Sequence, residues 1–171
     1  MSHSKRKSNS TNSQPYGNDL STNWIEIKDG NPIALELFSR HYSKRHYLDK
    51  RVSKRFVGPG ERIVLLSRCN KALLVWKKFR SKDNQIGICC SVFRNESMEL
   101  SSSLLLEAES FAFKKWDASR FYTYVNPKKI SSKNPGYCFK VAGWRFCGIT
   151  KTRKLHILEK ISLYSEKTTN T

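Results

Sequence analysis

The sequence predicts a single domain of the α+β class, and three observations lead to this prediction. The chain has 171 residues, enough for one hydrophobic core of ordinary size but not for two. Short runs rich in β-branched and aromatic residues, which are typical of strands, recur along it. One long segment, Ser101–Trp116, instead places its apolar residues at helical spacing. With no visible internal repeat, we expect strands and helices to share one core.

The two ends of the chain differ in composition from its middle. Residues 1–21 are rich in Ser, Asn and Thr, carry the basic cluster Lys5-Arg6-Lys7 and contain almost nothing apolar. Such a segment cannot bury enough surface to repay the entropy lost on ordering. We therefore expect a disordered basic tail over residues 1–21, an ordered domain over residues 22–162 and a flexible C-terminal tail over residues 163–171.

The first half of the domain predicts a helix followed by a hairpin. Asn31-Pro32 is typical of a helix start, and this first helix is expected to run on into RHYSKRHY, which begins at Arg40. A basic loop broken by Gly58-Pro59-Gly60 follows. The next two apolar runs, residues 62–67 and 72–79, are separated by a short polar connection and predict a hairpin.

The second half of the domain predicts alternating strands and helices. GICCSVF is almost wholly apolar, as in a strand that is covered on both faces. The helix of residues 101–116 then begins with three serines that can serve as N-caps. The remaining predicted elements are a strand over residues 120–125, a basic loop over 126–133, a short helix within NPGYCFKVAGW (134–144) and a last strand over 154–159.

Charge indicates a polyanionic partner. The chain holds 32 Lys and Arg against 14 Asp and Glu, a net charge of +18, which exceeds what solubility needs and is spread along the sequence. We therefore expect nucleic acid, and DNA in particular, as the partner. The residues expected to meet phosphates are Lys44 and Arg45 at the end of the first helix, and Lys128, Lys129 and Lys133 in the basic loop.

Signals for a membrane, for secretion and for zinc are weak. No apolar run approaches the roughly 18 residues that span a membrane. MSHSKRKSNSTNSQ has no apolar core like that of a signal peptide. We therefore expect a cytoplasmic protein without a membrane partner. The five cysteines show no Cys-x-x-Cys spacing, which disfavours a zinc site and predicts buried free thiols: Cys69, Cys89, Cys90, Cys138 and Cys147.

The order of elements, a strand meander followed by strand-helix-strand-helix-strand, resembles the GNAT N-acetyltransferase superfamily from about Ile33 to Glu159. This implies a mixed, mostly antiparallel sheet flanked by helices, and transfer from acetyl-CoA or a related acyl donor. That family's penultimate helix ends in Gly-Phe, which Gly143-Trp144 matches. Phe139 stands at the position that lines the donor site, where the family usually has Tyr. The nearest phenol, Tyr137, is therefore a candidate catalytic acid.

The family's donor loop differs more from this chain. It cradles pyrophosphate with an Arg or Gln followed by spaced glycines, whereas the matching segment RNESMELSSS has no glycine. Glu96, a carboxylate beside this site, is a candidate general base, and the alternative is an exposed loop acid. The residues to which the resemblance assigns donor binding are Arg94, Ser101, Ser102, Ser103 and Phe139.

A narrower resemblance exists within that fold. RHYSKR, together with the Asn-Glu-Ser segment before the central helix, looks like the Mom-type DNA-modification proteins of bacteriophages. This implies addition of a carbamoylmethyl or other acyl-derived group to the N6 amine of adenine in DNA, which protects against restriction, in the host bacterial cytoplasm. It also implies catalytic and iron-binding roles for His41 and Tyr42. Imidazole suits both roles, and the alternative for His41 is a solvated basic helix face.

Two other functions stay open. A conventional GNAT N-acetyltransferase, acting on amines of proteins, small molecules or modified bases, shares the expected fold. A non-catalytic DNA-binding protein with a GNAT-like fold would suit the missing glycine loop and Phe139.

One further position departs from the Mom-type pattern. Asn126 falls where that family has an acidic residue, which puts a metal role at that position in doubt.

Overall fold

The computed structural model describes residues 21–44 and 54–162. The tails expected before residue 21 and after residue 162, and Arg45, lie outside these residues. None of the helices within them is long and apolar enough to cross a membrane. Their elements in chain order are β1 (Trp24–Ile27), α1 (Pro32–Ser39), β2 (Glu61–Ser67), β3 (Ala72–Lys78), β4 (Ile88–Asn95), α2 (Ser101–Trp116), β5 (Arg120–Val125), a 3-10 helix (Pro127–Lys129), α3 (Tyr137–Val141), β6 (Arg145–Ile149) and β7 (His156–Ile161).

The strands form one sheet in the order β1-β2-β3-β4-β5-β7-β6. Neighbouring strands are antiparallel except for β4 and β5, which are parallel. The hairpin predicted from the sequence is β2–β3, and the long predicted helix is α2. The structure therefore confirms the α+β class with a mixed, mostly antiparallel sheet flanked by helices.

The two faces of the sheet bury separate apolar clusters because side chains alternate along each strand. One face packs against α2 and α3, and there the indole N–H groups of Trp24 and Trp76 donate to the carbonyls of Leu104 and Ala108, both at 2.9 Å. The opposite face packs against α1. Each buried indole thus satisfies its polar atom while fixing α2 against the strands.

The sheet opens between β4 and β5. These strands pair only over Ile88–Cys90 and Phe121–Thr123. The next residue of β4, Ser91, forms a bulge, because its two chain neighbours pair with consecutive residues of β3 and leave Ser91 without an opposite residue. No pairing between β4 and β5 is found past this bulge in the described residues, so a V-shaped opening begins there.

The end of α1 differs from the prediction. The helix stops at Ser39, so His41 and Tyr42 lie in the turn after the helix and not on it. The N–H groups of Arg40 and His41 donate to carbonyls three residues earlier, at 3.2 and 2.9 Å. Such bonds tighten the last turn and end the α-helical pattern.

The edges of the sheet and the cysteines also correct the sequence prediction. The edge strands β1 and β6 were not predicted, and the last strand begins at His156 instead of residue 154. Four of the five residues of β6 are exposed, so this strand lacks the apolar alternation that marks a buried strand. Cys89 and Cys90 are buried as expected and Cys138 is half-buried, whereas Cys69 and Cys147 are exposed.

Candidate functional site

A cavity of about 380 Å³ lies in the opening between β4 and β5. Its volume falls within the range of about 300–1,000 Å³ that is usual for small-ligand sites. The opening is also where main-chain groups of two strands come free of the sheet. The aromatic part of its wall consists of Tyr42, Phe93, Tyr124, Tyr137 and Phe139.

The turn Asn134-Pro135-Gly136 brings α3 to this cavity. Gly136 has φ of +76°, and an added Cβ would overlap the Leu158 side chain of β7. Glycine is therefore required for the chain to turn this closely against β7. The helix that follows presents Phe139, whose ring contacts Phe93 edge to face at 5.9 Å between centroids. The short helix expected within this segment is confirmed, and it supplies one wall of the cavity.

His41 and Tyr42 lie together at the opening. Their rings stack with centroids 4.5 Å apart. The Tyr42 hydroxyl donates a long hydrogen bond of 3.4 Å to the Tyr124 carbonyl on β5. The His41 ring lies beside the Phe93 main chain on β4, which partly offsets the lowering of the His41 pKa by burial. The His41 ring thus lies against β4, and the Tyr42 ring lies against β5.

One nitrogen of the His41 imidazole is bonded within its own turn. Nδ1 accepts from the Ser43 N–H at 3.2 Å and lies 2.7 Å from the Ser43 hydroxyl. Burial, together with the nearby Arg94 charge, lowers the His41 pKa to about 4. The ring is therefore neutral at pH 7. A neutral ring with Nδ1 bonded inside its own turn supports a positioning role, while the general-base role expected from the sequence stays a prediction.

The iron site expected at His41 and Tyr42 does not fit the described residues. Iron sites in proteins combine several imidazole, thiolate or carboxylate ligands. Within residues 21–44 and 54–162, no three His, Cys, Asp or Glu side chains come together to hold a metal.

Tyr42 remains protonated at neutral pH. Although 41% of the residue is exposed, the water lost around its phenol raises the Tyr42 pKa. Tyr137, on the α3 side of the cavity, is 61% exposed. The cavity thus carries two phenols, and the structure brings together four of the expected site residues: His41, Tyr42, Tyr137 and Phe139.

Glu96 and Arg94 lie apart from the cavity. The Glu96 carboxylate accepts two hydrogen bonds of 2.9 Å from Arg40 and another from Arg94, and these pairings lower its pKa to about 2. Arg94 also donates to the Arg40 carbonyl at 2.6 Å. This network ties the turn after α1 to the end of β4. A carboxylate with so low a pKa is a poor base, so the structure supports the alternative, an exposed loop acid.

The loop before α2 lacks a main-chain nest for the pyrophosphate of a donor. Anion-binding nests use residues of alternating right- and left-handed conformation, and residues 95–103 contain none with positive φ. The Asn95 side chain instead spans the loop, accepting from the Ser97 N–H at 2.9 Å and donating to the Glu99 carbonyl at 2.8 Å.

The three serines expected at the helix start are the first helical residues of α2, not its N-cap. Leu100 is the N-cap, and its apolar side chain cannot accept a hydrogen bond. The Ser101 hydroxyl accepts from Asn95 at 3.0 Å. In the part of the chain that the structure describes, no hydrogen bond uses the Ser102 or Ser103 hydroxyl. The N–H groups of this turn can meet one phosphate, as at other helix starts.

The loop after β5 lines the cavity with Ile130, Ser132 and Asn134, and no described Lys or Arg is among the lining residues. The exposed lysines of this loop, Lys128, Lys129 and Lys133, stand next to these lining residues in the chain and are called the basic rim. Asn126 begins this loop, and its side chain accepts from the Lys128 N–H at 3.1 Å. Asn126 is thus a cap of the 3-10 helix. The expected phosphate-binding lysines within the described residues are all exposed: Lys44, Lys128, Lys129 and Lys133.

Sequence reasoning missed three parts of this site. Ser91 forms the bulge at which the strands part. Thr123 donates its hydroxyl to the Cys90 carbonyl at 2.8 Å, at the last pair before the opening. Arg153, in the turn between β6 and β7, acts electrostatically on Tyr42. The basic run TKTRK was a visible signal for Arg153, but no sequence pattern marks the other two.

Comparison with known proteins gives similarity at the level of chain topology. No protein-family model matches the chain, and no curated protein does. It is similar to the N-acetyltransferase PseH of Campylobacter jejuni, with 7% identity, 58% of this chain and 67% of that chain covered, and a TM-score of 0.42. It is also similar to two structures of spermidine N-acetyltransferase from Vibrio cholerae.

The first of these Vibrio structures, dodecameric in an intermediate state, is 9% identical, with 64% of this chain and 68% of that chain covered and a TM-score of 0.39. The second, in complex with CoA and spermine, is 12% identical, with 58% and 64% covered and a TM-score of 0.37.

Proposed function

We propose that this chain is a GNAT-like transferase that adds an acyl-derived group to an amine of DNA, the N6 amine of adenine. The observation that carries the proposal is the aromatic cavity at the opening between β4 and β5, one wall of which comes from a loop that also carries exposed lysines. An exocyclic amine lies inside the base stack of a duplex, so an enzyme that modifies it must extrude the base into such a cavity.

The cavity suits a planar base. Phe93 and Phe139 form an apolar wall, and Tyr124 on β5 and Tyr42 in the turn after α1 also line the cavity. Stacking on aromatic rings holds a base with little dependence on its identity. The lysines of the rim would meanwhile hold the phosphates on either side of the extruded nucleotide.

Tyr42 is the residue that we assign to the chemistry. Its phenol is neutral at pH 7 and lies at the cavity wall, where it can donate a hydrogen bond to the group being transferred or protonate a leaving group. His41, neutral, stacked on Tyr42 and hydrogen-bonded through Nδ1 to Ser43, acts on Tyr42 as a positioning residue. The donor is an activated acyl or carbamoylmethyl compound.

N-acetyl transfer to an amine of a protein, a small molecule or a modified base is the second candidate. A neutral phenol in an aromatic cavity does not by itself select adenine, so Tyr42 serves any amine equally well. The basic rim is what favours DNA, because an amine-bearing substrate is cationic before reaction and would be repelled by lysines.

Two assays separate these functions. DNA from bacteria that express the chain is digested to nucleosides and compared by mass spectrometry with DNA from cells that express none. The proposal expects a new adenosine derivative. In parallel, purified protein is incubated with acetyl-CoA and panels of peptides, amines and nucleosides. Acetylation there, with unaltered nucleosides in the cells, would favour the second candidate.

A further inference from the structure

The turn between β6 and β7 carries a compact group of cations. It spans residues 150–155, and Lys151, Arg153 and Lys154 are exposed. No ion pair within the described residues uses any of these three charges. The carboxylate of this hairpin, Glu159, lies toward its other end, bonded to Arg120 and Arg145. The turn is thus a positive surface without a partner in the described fold.

Hydrogen bonds fix the shape of this turn. The Thr150 N–H donates to the Leu155 carbonyl at 2.9 Å, and the Lys154 N–H donates to the Thr150 carbonyl at 3.2 Å. The Thr150 hydroxyl oxygen also accepts from the Leu155 N–H at 2.9 Å. Lys154 has φ of +53°, a left-handed conformation in which glycine or asparagine is far more common than lysine. A cation therefore occupies a position where backbone geometry favours other residues.

The turn projects from the sheet beside the cavity. His156, the first residue of β7, pairs with Val125 at the end of β5 and with Ile149 at the end of β6. Val125 lines the cavity, so the turn begins where the cavity wall ends. The Arg153 charge reaches the Tyr42 phenol, whose pKa it lowers against the larger effect of burial. The basic rim of the cavity and the turn therefore lie at the same end of the strands, where β5 and β6 finish and β7 begins.

We propose that the turn of residues 150–155 contacts duplex DNA and binds the phosphates next to the base held in the cavity. This inference rests on the proposed function. Charge complementarity identifies the partner, since three unpaired cations on a rigid turn meet a regular array of phosphates. A two-stranded β-ribbon also fits the major groove of B-DNA, so the end of this hairpin has room to approach the duplex.

A charge-removal experiment tests the contact. One variant combines Lys151→Ala, Arg153→Ala and Lys154→Ala. Its matched control combines Lys78→Ala, Arg80→Ala and Lys82→Ala. These three cations are exposed and lie at or after the end of β3, at the opposite end of the strands from the turn. Both variants have the same net charge. Affinity for a short fluorescent duplex is measured by anisotropy over a series of salt concentrations, and for the matching single strand at one of them.

The turn variant is expected to weaken duplex binding by about tenfold or more, and to reduce the slope of log affinity against log salt by about 2.7, or about 0.9 per lost phosphate contact. The control should lose much less. Equal losses in the two variants would overturn the contact, as would a loss confined to single strands. Wild-type protein that does not bind DNA at all would overturn it too.

A single substitution separates charge from folding. Lys154→Gly removes one cation and places glycine where φ is positive, so the melting temperature should stay the same or rise. Duplex binding should still weaken by several-fold, and unchanged binding would contradict the contact. If DNA binding behaves as expected but nucleosides are unmodified in cells, the contact stands and the proposed chemistry fails.

Discussion

His41 and Tyr42 stack with their ring centroids 4.5 Å apart and their planes inclined by 27°, at the place where β4 and β5 part. The His41 ring lies beside the main chain of β4, and the Tyr42 hydroxyl donates to the main chain of β5. The pair therefore spans an opening that the sheet does not close. In this arrangement we expect the imidazole to hold the phenol in place.

The first prediction separates positioning from proton transfer at His41. In His41→Asn, the amide oxygen replaces Nδ1 as acceptor for the Ser43 N–H, so nucleoside modification should stay within several-fold of wild type. His41→Ala lacks this acceptor and should lose about tenfold or more. If His41 is a base, both variants lose about 10²–10⁴-fold alike, which mass spectrometry of nucleosides would reveal.

The second prediction concerns stability against pH. Burial lowers the His41 pKa from 6.5 to about 4, so the unfolded chain binds this proton more readily than the folded one. The stability that the neutral ring contributes is present above about pH 6.5 and is lost as the pH falls toward about 4, by up to about 3 kcal/mol.

Thermal unfolding of wild type and His41→Asn across this pH range measures the effect. The wild-type curve should fall more steeply with acid than that of the variant. Parallel curves would show that His41 titrates normally in the folded protein.

The third prediction concerns Glu96. Its carboxylate is paired with Arg40 and Arg94 outside the cavity, so Glu96→Gln should leave the modification rate nearly unchanged. The cost in stability should stay below about 1 kcal/mol, because the ion pairs are partly exposed. A drop in the modification rate of Glu96→Gln by about 100-fold, with a normal melting temperature, would contradict this expectation and indicate that Glu96 is a catalytic base.

Much of the fold could be predicted because buried elements carry their own pattern. The β2–β3 hairpin, β5 and α2 were recognised from apolar runs and helical spacing. The edge strands were missed for the converse reason. Most of β6 is exposed, and even Phe146 is about half exposed. The strand buries no apolar face, so apolar and polar residues do not alternate along its sequence.

The site was predictable in its residues more than in their roles. His41 and Tyr42 are predicted from a short motif, but the burial that lowers the His41 pKa comes from parts of the chain that lie far away in sequence. The pairing of Glu96 could not be predicted because its partner Arg40 is 56 residues distant. Such contacts depend on tertiary packing, which no local pattern encodes.

The fourth prediction tests the turn that places α3. Gly136→Ala should destabilise the protein by about 1–2 kcal/mol or more, since φ is positive and the added Cβ meets Leu158. Gly148→Ala is the matched control, because Gly148 has neither a positive φ nor an atom near its missing Cβ. It should change stability by less than about 0.5 kcal/mol. Equal melting temperatures for the two variants would contradict this account of the turn.

The most direct measurement compares three proteins by mass spectrometry of nucleosides from the DNA of expressing cells: wild type, Tyr42→Phe and Tyr122→Phe. Tyr122 is a matched control because its buried hydroxyl has no partner of normal hydrogen-bond geometry among the described residues and lies outside the cavity. The account predicts modified adenosine for wild type and Tyr122→Phe, and a loss of about 100-fold or more for Tyr42→Phe. Modification at the wild-type level by Tyr42→Phe, or none by wild type, would contradict it.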